Sequence, residues 1–394
     1  MHRLLPVQKP PRWWSPKLSP AWVRFWRPVR RWAQRHEQRL RAIEVRGLEH
    51  LQRADAKGHG VLITPNHVQY ADVFVLAEAA DRLGRPFYFM SAWQVLGMAS
   101  PLRRSILRQH GCFSVDRDGT DLRAFRQAVK IMETQSHPLV IFPEGEMYHV
   151  NDRVTPFREG AAAIALAAAR RPQRPVVCAP CGIKYFLKDD PTPELLRLAD
   201  RIEEKLLWRP RRDLPLEQRI YRVAEGALAL KEIEHLGQIY SGALPQRIQN
   251  LSEAILRRLE QHFRLDPRGR DVPARVKSLR QQVVKELETL PESATERRQY
   301  AGHLEEIFLV VQLFCYPGDY VAERPSLERM AETLAKFEED LLGVAIAAVR
   351  GTWHVVIAFG EPIVVPQDRD GDKASTLTRQ LEERVQGLLN ELTG

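Results

Sequence analysis

His67 and Asp72 are the residues of this chain whose types and spacing could do chemistry. They lie in Val61-Leu62-Ile63-Thr64-Pro65-Asn66-His67-Val68-Gln69-Tyr70-Ala71-Asp72, where a short apolar run reads as a buried strand and Pro65 ends it. A neutral imidazole held by a carboxylate is what deprotonating a hydroxyl near neutral pH requires. Five residues turn about 500° around an α-helix, so the two side chains would not share a face of one regular helix. They meet if His67 sits in the strand-to-helix loop and Asp72 opens the following helix. Taken alone, the same residues also describe a loop histidine beside a helix-capping aspartate.

Later stretches separate these readings. Gly111-Cys112-Phe113-Ser114-Val115-Asp116-Arg117 carries an aromatic residue and an arginine at the end of a strand pattern. Val140-Ile141-Phe142-Pro143-Glu144-Gly145-Glu146 follows, then Phe157-Arg158-Glu159-Gly160-Ala161. Pro180 closes the apolar run Val176-Val177-Cys178-Ala179. In order and spacing these blocks resemble the glycerolipid acyltransferase family, the lysophosphatidate acyltransferase-like group. That family is marked by His-x4-Asp, an aromatic-x-x-Arg block, Phe-Pro-Glu-Gly-Thr and a late strand-closing proline. The resemblance covers residues 45–187 and returns near 353–365.

It implies an O-acyltransferase that moves a fatty acyl group from a thioester, acyl-CoA or acyl-carrier protein, to a hydroxyl of a lysophosphatidate-like glycerolipid. His67 would be the general base and Asp72 its orienting carboxylate. Arg117 and the Glu144-Gly145 turn would hold the glycerol-phosphate end, since a guanidinium fork gives phosphate two charge-assisted hydrogen bonds. Arg158 stands where the family often has lysine, and Glu146 where threonine or serine is usual. A second carboxylate beside a phosphate would repel it, so Glu146 points away, pairs with a cation such as Arg158, or faces an acceptor without a phosphate. Glycerol 3-phosphate or a non-phosphate lyso-lipid are alternative acceptors, and a non-catalytic membrane-binding scaffold is the alternative from another class. The activated thioester removes the need for a covalent intermediate, and no Gly-x-Ser-x-Gly elbow occurs. The reading calls for no cofactor and no metal.

The elements that must position these residues alternate. Strand patterns at Ile43–Val45, Val61–Ile63, Phe87–Met90, Cys112–Val115, Leu139–Phe142, Pro175–Ala179 and Ile183–Phe186 are separated by helical ones at Asp72–Leu83, Ser100–Gln109, Asp121–Met132 and the Ala-rich Gly160–Ala169. This predicts an α/β fold, a mixed, largely buried sheet covered by helices. Residues 192–343 read instead as five or six helices, with a start at Thr192-Pro193-Glu194, a capping box at Ser293-Ala-Thr-Glu296 and an apolar stripe from Leu327 to Leu341. Strand patterns return at Val344–Val349 and Trp353–Phe359, and Leu377–Leu392 is an amphipathic helix. The expected organisation is a segment 1–42, an α/β core over 43–187, a helical insert over 188–343 and closing elements over 344–394. No internal repeat is evident, and the insert's role is not readable from its residues.

The net charge of +9 (59 − 50) is local, because residues 1–50 hold 12 Lys/Arg against 3 Asp/Glu (12 − 3 = 9). Trp13, Trp14, Trp22, Trp26 and Trp32 lie there too, among Arg24, Arg27, Arg30, Arg31 and Arg35, with Pro28 kinking or splitting the helix. Such a segment suits an anionic membrane surface. Packing on the protein's own core is the alternative, and no nucleic-acid module accompanies it. No run approaches the roughly 20 apolar residues that span a bilayer, so a cytoplasmic protein peripheral to the membrane is expected. The four cysteines suggest a reducing compartment. Cys178 and Cys181 lie three residues apart along a strand, which points their thiols to opposite faces and argues against a redox or zinc pair.

Overall fold

The computed structural model describes residues 12–117, 121–171, 174–268, 271–291, 294–367 and 373–393. In chain order the first elements are α1 (Pro20–Phe25), α2 (Arg27–His36), β1 (Leu40–Arg46), α3 (Leu48–Ala56), β2 (Gly60–Pro65), α4 (Asp72–Leu83), β3 (Tyr88–Ala92), α5 (Trp93–Gly97), α6 (Pro101–Gln109), β4 (Cys112–Val115), α7 (Leu122–Thr134), β5 (Leu139–Val140), α8 (Gly160–Ala169) and β6 (Val176–Leu187). Among the described residues seven helices follow: α9 (Thr192–Leu207), α10 (Leu216–Leu236), α11 (Leu244–Phe263), α12 (Val272–Thr289), α13 (Glu296–Phe314), α14 (Tyr320–Glu323) and α15 (Leu327–Leu342). Then come β7 (Trp353–Phe359), β8 (Ile363–Val364) and α16 (Lys373–Glu391). The chain divides into two compact units, an α/β unit from residues 11–189 and 351–394, and a helical unit of residues 190–350.

The α/β unit is built on an eight-stranded sheet in the order β1-β7-β6-β2-β5-β3-β4, with β8 also paired to β6. The strands are parallel except where β6 meets β7 and β8. Helix α8 contributes Ala162, Ala165 and Ala169 to the core beside Leu62, Ile131, Leu139 and Cys178. Small side chains let this helix lie close to the sheet. Strand β1 turns into α3 through Gly47, at φ +66°, where a Cβ would come 2.1 Å from the carbonyl oxygen of Phe359. Only glycine fits both the left-handed turn and that approach.

Strand β6 corrects the expectation of two strands either side of Pro180. It runs unbroken for 12 residues. Alternate backbone groups of β6 face opposite neighbours. Pro175 C=O accepts from Gly60 on the β2 side, whereas Val176 C=O and Pro180 C=O accept from Val365 and Gly360 on the other. The N–H that proline lacks would therefore point between the end of β7, which pairs with β6 from Cys181 on, and β8, which pairs with Val177 and Cys178. No ladder bond is lost there.

The expected strand Val344–Val349 does not form. This segment belongs to the helical unit, where Ala347 N–H donates to Glu339 (3.0 Å) and Ala348 N–H to Glu338 (3.2 Å). Carboxylates at the end of α15 take donors that a neighbouring strand would have used. Of the capping box expected before α13, Ser293 lies outside the described residues, and the N-cap Thr295 makes no side-chain cap bond.

The helical unit also holds a repeat that the sequence pattern hides. Arg219, Arg247 and Arg275 recur every 28 residues, near the starts of α10, α11 and α12. Each reaches back to a glutamate of the preceding helix. Arg219 bonds Glu203 (2.6 Å), Arg247 grips Glu232 through Nε and an Nη (3.0 and 2.6 Å), and Arg275 grips Glu260 (2.8 Å twice). All six side chains are buried. Leu251, Ile255, Leu259, Leu279, Val283 and Val310 form the apolar core of this unit.

Candidate active site

Strand β2 ends at Pro65, whose fixed φ and missing N–H stop the ladder, and the chain leaves the sheet through Asn66 and His67. Helix α4 begins at Asp72. The loop folds so that the Asp72 carboxylate, wholly buried, lies under its own preceding residues. Its Oδ2 accepts from Val68 N–H (2.8 Å), Gln69 N–H (3.1 Å) and His67 Nδ1 (2.8 Å). Its Oδ1 accepts from the Tyr185 hydroxyl (2.6 Å). The negative charge is further favoured at the N-terminus of a helix. An ionised carboxylate only accepts, so His67 must carry its proton on Nδ1 and keep the Nε2 lone pair available. The imidazole stacks on Phe142 (centroids 4.0 Å apart) and leaves 23% of its side chain exposed.

The turn after β5 braces this pair from the other side. Glu144 is buried, its Oε1 accepting from His67 N–H (2.7 Å) and its Oε2 from Thr155 N–H (3.1 Å) and the Thr155 hydroxyl. Burial pushes the Glu144 carboxyl up to about 7, against the downward pull of the Thr155 and His67 hydrogen bonds. The carboxylate expected to meet the acceptor is therefore turned inward and holds the backbone of the histidine loop. Gly145 adopts φ +80°, and a Cβ there would lie 2.5 Å from Arg158 Nε. The Arg158 guanidinium packs on this glycine, with its buried Nε lacking a hydrogen-bond partner among the described residues. Arg117 donates to Gly145 C=O and pairs with Glu146 (2.8 Å). Glu146 thus pairs with Arg117, and the suggested pairing with Arg158 does not occur, because Arg158 is taken up against the glycine turn.

Residues 42–184 match the family model described as Acyltransferase. This segment is an acyltransferase domain of the glycerolipid acyltransferase family. No curated protein matches the chain. All seven candidate residues, His67, Asp72, Arg117, Glu144, Gly145, Glu146 and Arg158, fall inside the matched segment, and a string of contacts joins them. His67 bonds Asp72 and Glu144, the adjoining Gly145 receives Arg117 and Arg158, and Arg117 meets Glu146.

Several residues of the acyltransferase domain escaped sequence reasoning. Strand β6 continues past the end of β2, which leaves backbone groups of Ile183 and Tyr185 facing no strand on that side. Two asparagine amides replace it. Asn66 bonds both Ile183 N–H (2.7 Å) and C=O (3.0 Å), and Asn151 does the same for Tyr185 (2.8 Å each). With both the oxygen and the nitrogen of each buried amide bonded, the two side chains fix the strand's position. Thr155 and Phe142 complete the setting. The one local signal was Asn66 beside His67, which spacing alone does not connect to β6.

Cys178 and Cys181 are free and fully buried, and burial holds both thiols well above their ordinary range, Cys178 at about 12. Among the described residues no group of three or more His, Cys, Asp or Glu could hold a metal ion.

The basic N-terminal segment is partly turned inward. It splits into α1 and α2 just before Pro28, and Arg27, Arg30 and Arg31 pair with Asp81 and Glu78 of α4 (3.1, 3.1 and 3.7 Å). Trp14 N–H donates to the Ser114 hydroxyl (2.8 Å), and Ser114 N–H donates back to Trp14 C=O (3.1 Å). Phe25, Val29 and Trp32 remain 65, 51 and 55% exposed. Among the described residues no helix is long and apolar enough to cross a membrane.

Proposed function

We propose that the acyltransferase domain moves a fatty acyl group from a thioester, acyl-CoA or acyl-carrier protein, to a hydroxyl of a lyso-glycerolipid such as lysophosphatidate. The observation that carries this reading is the His67–Asp72 pair, whose geometry leaves Nε2 as a base. The acceptor oxygen attacks the thioester carbonyl as its proton passes to Nε2. The tetrahedral intermediate collapses with cleavage of the C–S bond, and the imidazolium returns the proton to the departing thiolate. Asp72 keeps the tautomer and stabilises the imidazolium. Glu144 fixes the loop through the His67 backbone, which restricts the base to one position.

A second reading, an acceptor without a phosphate, is favoured by the Arg117–Glu146 ion pair. A phosphate seeking Arg117 would have to compete with a carboxylate already bound to it. The domain would work at an anionic membrane surface, where the exposed Phe25, Val29 and Trp32 suit the headgroup region. That role falls to their apolar faces and to Arg24 and Arg35, since three of the neighbouring arginines are paired internally.

The test is transfer from labelled acyl-CoA, in the presence of anionic vesicles, to lysophosphatidate, glycerol 3-phosphate and monoacylglycerol. Labelled diacyl product from at least one lyso-lipid is expected. Monoacylglycerol used better than lysophosphatidate would establish the second reading. No transfer from either acyl-CoA or acyl-carrier protein to any acceptor would leave the scaffold alternative.

A further inference from the structure

Tyr185 lies one residue beyond the matched acyltransferase segment, and its hydroxyl donates to Asp72 Oδ1 at 2.6 Å with both side chains fully buried. We propose that Tyr185 is a positioning residue of the acyl-transfer site, one that sets the basicity of His67 by donating a permanent hydrogen bond to Asp72. The inference rests on the reading of His67 as the general base.

Three observations support it. First, Tyr185 is placed with unusual care. Its backbone is held on both polar atoms by the Asn151 amide, and its ring meets Trp353 edge-on at 6.2 Å. The segment that supplies Asn151 directly follows the Glu144–Glu146 turn, so one stretch of chain braces both His67 and Tyr185. Second, the hydroxyl is a donor that does not titrate away. Burial, then the charge of Asp72, holds the phenol well above its ordinary range.

Third, the division of donors on Asp72 has a chemical consequence. Oδ2 serves the imidazole and two backbone N–H groups, while Oδ1 faces Tyr185. Each donor stabilises the carboxylate and reduces its pull on the imidazolium proton. A carboxylate without this phenol would hold the imidazolium more tightly, and His67 would remain protonated to higher pH, where it cannot act as a base. Two further titratable groups face the pair: Glu144, which touches the His67 backbone, and Cys181 of β6, both buried. The Cys181 thiol is held neutral by burial and by Asp72.

The experiment compares wild type with Tyr185→Phe, which removes one oxygen atom, by NMR titration of the His67 imidazole and by the pH profile of kcat/KM. In the variant the imidazole pKa and the acidic limb of the profile should both move up by about 0.5–1 pH unit. The pH-independent rate should fall less than it does when His67 is removed. The same change made in a protein already carrying Asp72→Asn should leave the imidazole pKa where Asp72→Asn alone puts it. A lower melting temperature with an unmoved imidazole pKa would overturn the proposal, as would a shift of equal size in the Asp72→Asn background. The imidazole titration needs no substrate. A shift there without any acyl transfer would count against the proposed activity and leave the Tyr185–Asp72–His67 coupling standing.

Discussion

Asp72 in the α/β unit and Glu232 in the helical unit are both buried carboxylates, and their partners differ in kind. Glu232 is gripped by a guanidinium fork, charge against charge. Asp72 meets two backbone amides, a phenol and an imidazole, none of which is a fixed cation. A carboxylate that only has to be buried is best neutralised by arginine, which never gives up its proton. One that must strengthen a neighbour's basicity during a reaction is better held by dipoles, with the titratable partner left as the group that changes charge. On the proposed function, the same residue chemistry supports structure in one unit and would poise a reaction in the other.

Replacing each carboxylate by its amide exposes this difference. Asp72→Asn should keep the fold, since the amide oxygen can replace Oδ2 and the phenol can turn to accept from the amide nitrogen. Acyl transfer should fall by on the order of 10²–10⁴-fold, because the imidazolium loses its counter-charge. Glu232→Gln should do the reverse. It removes the carboxylate that the buried Arg247 bonds, at a cost of about 3–5 kcal/mol of stability in the helical unit, read by denaturant unfolding. Replacing Glu232 and Arg247 together by methionine should recover most of that loss.

Glu144 is the intermediate case, a buried carboxylate hydrogen-bonded by His67 and Thr155 and, among the described residues, by no fixed cation. Its carboxyl, at about 7 in the fold, stands above the ordinary 4.5. Folding therefore favours the protonated form. The stabilisation it brings is complete below pH 4.5 and is lost as pH rises through 7, a change of about 2–4 kcal/mol. Glu144→Gln cannot titrate. It should start less stable than wild type at pH 5, by about 1–2 kcal/mol for a mismatched hydrogen bond, and should gain on it steadily towards pH 8. A constant difference across that range would show that Glu144 stays ionised throughout.

The smallest effect is expected at the N-terminal helices, where charges pair within the protein and the exposed aromatics do not. Trp32→Ser with Phe25→Ser should weaken sedimentation with anionic vesicles several-fold while leaving the melting temperature within a few degrees. Unchanged sedimentation would assign these helices to the α/β unit alone.

Much of the candidate site was legible because its parts are local. His67 and Asp72 lie five residues apart, and Pro65 marks the end of the strand that delivers them. Helix α4 and strands β4 and β7 begin and end where their apolar patterns do. What could not be read depends on distant pairings. Tyr185 lies 113 residues from the carboxylate it bonds, and Asn151 reaches Tyr185 only because β6 outruns β2. Pro180 looked like a strand end, and only the staggered positions of β7 and β8 make it harmless. The 28-residue recurrence hides for another reason. Only the arginine, the glutamate and a few apolar positions are kept, so a generic helical pattern masks them until their contacts show them to be equivalent. Val344–Val349 has a strand's composition, but a strand needs a neighbour, and carboxylates of α15 take its donors.

The most direct test of the account is the rate of acyl transfer by purified His67→Ala, measured against wild type with the best acceptor from the panel and with folding checked by melting temperature. The account predicts a folded protein whose turnover is reduced by at least about 10³-fold, since the base and its oriented proton path are both gone. A folded His67→Ala protein that transfers acyl groups at the wild-type rate would contradict it.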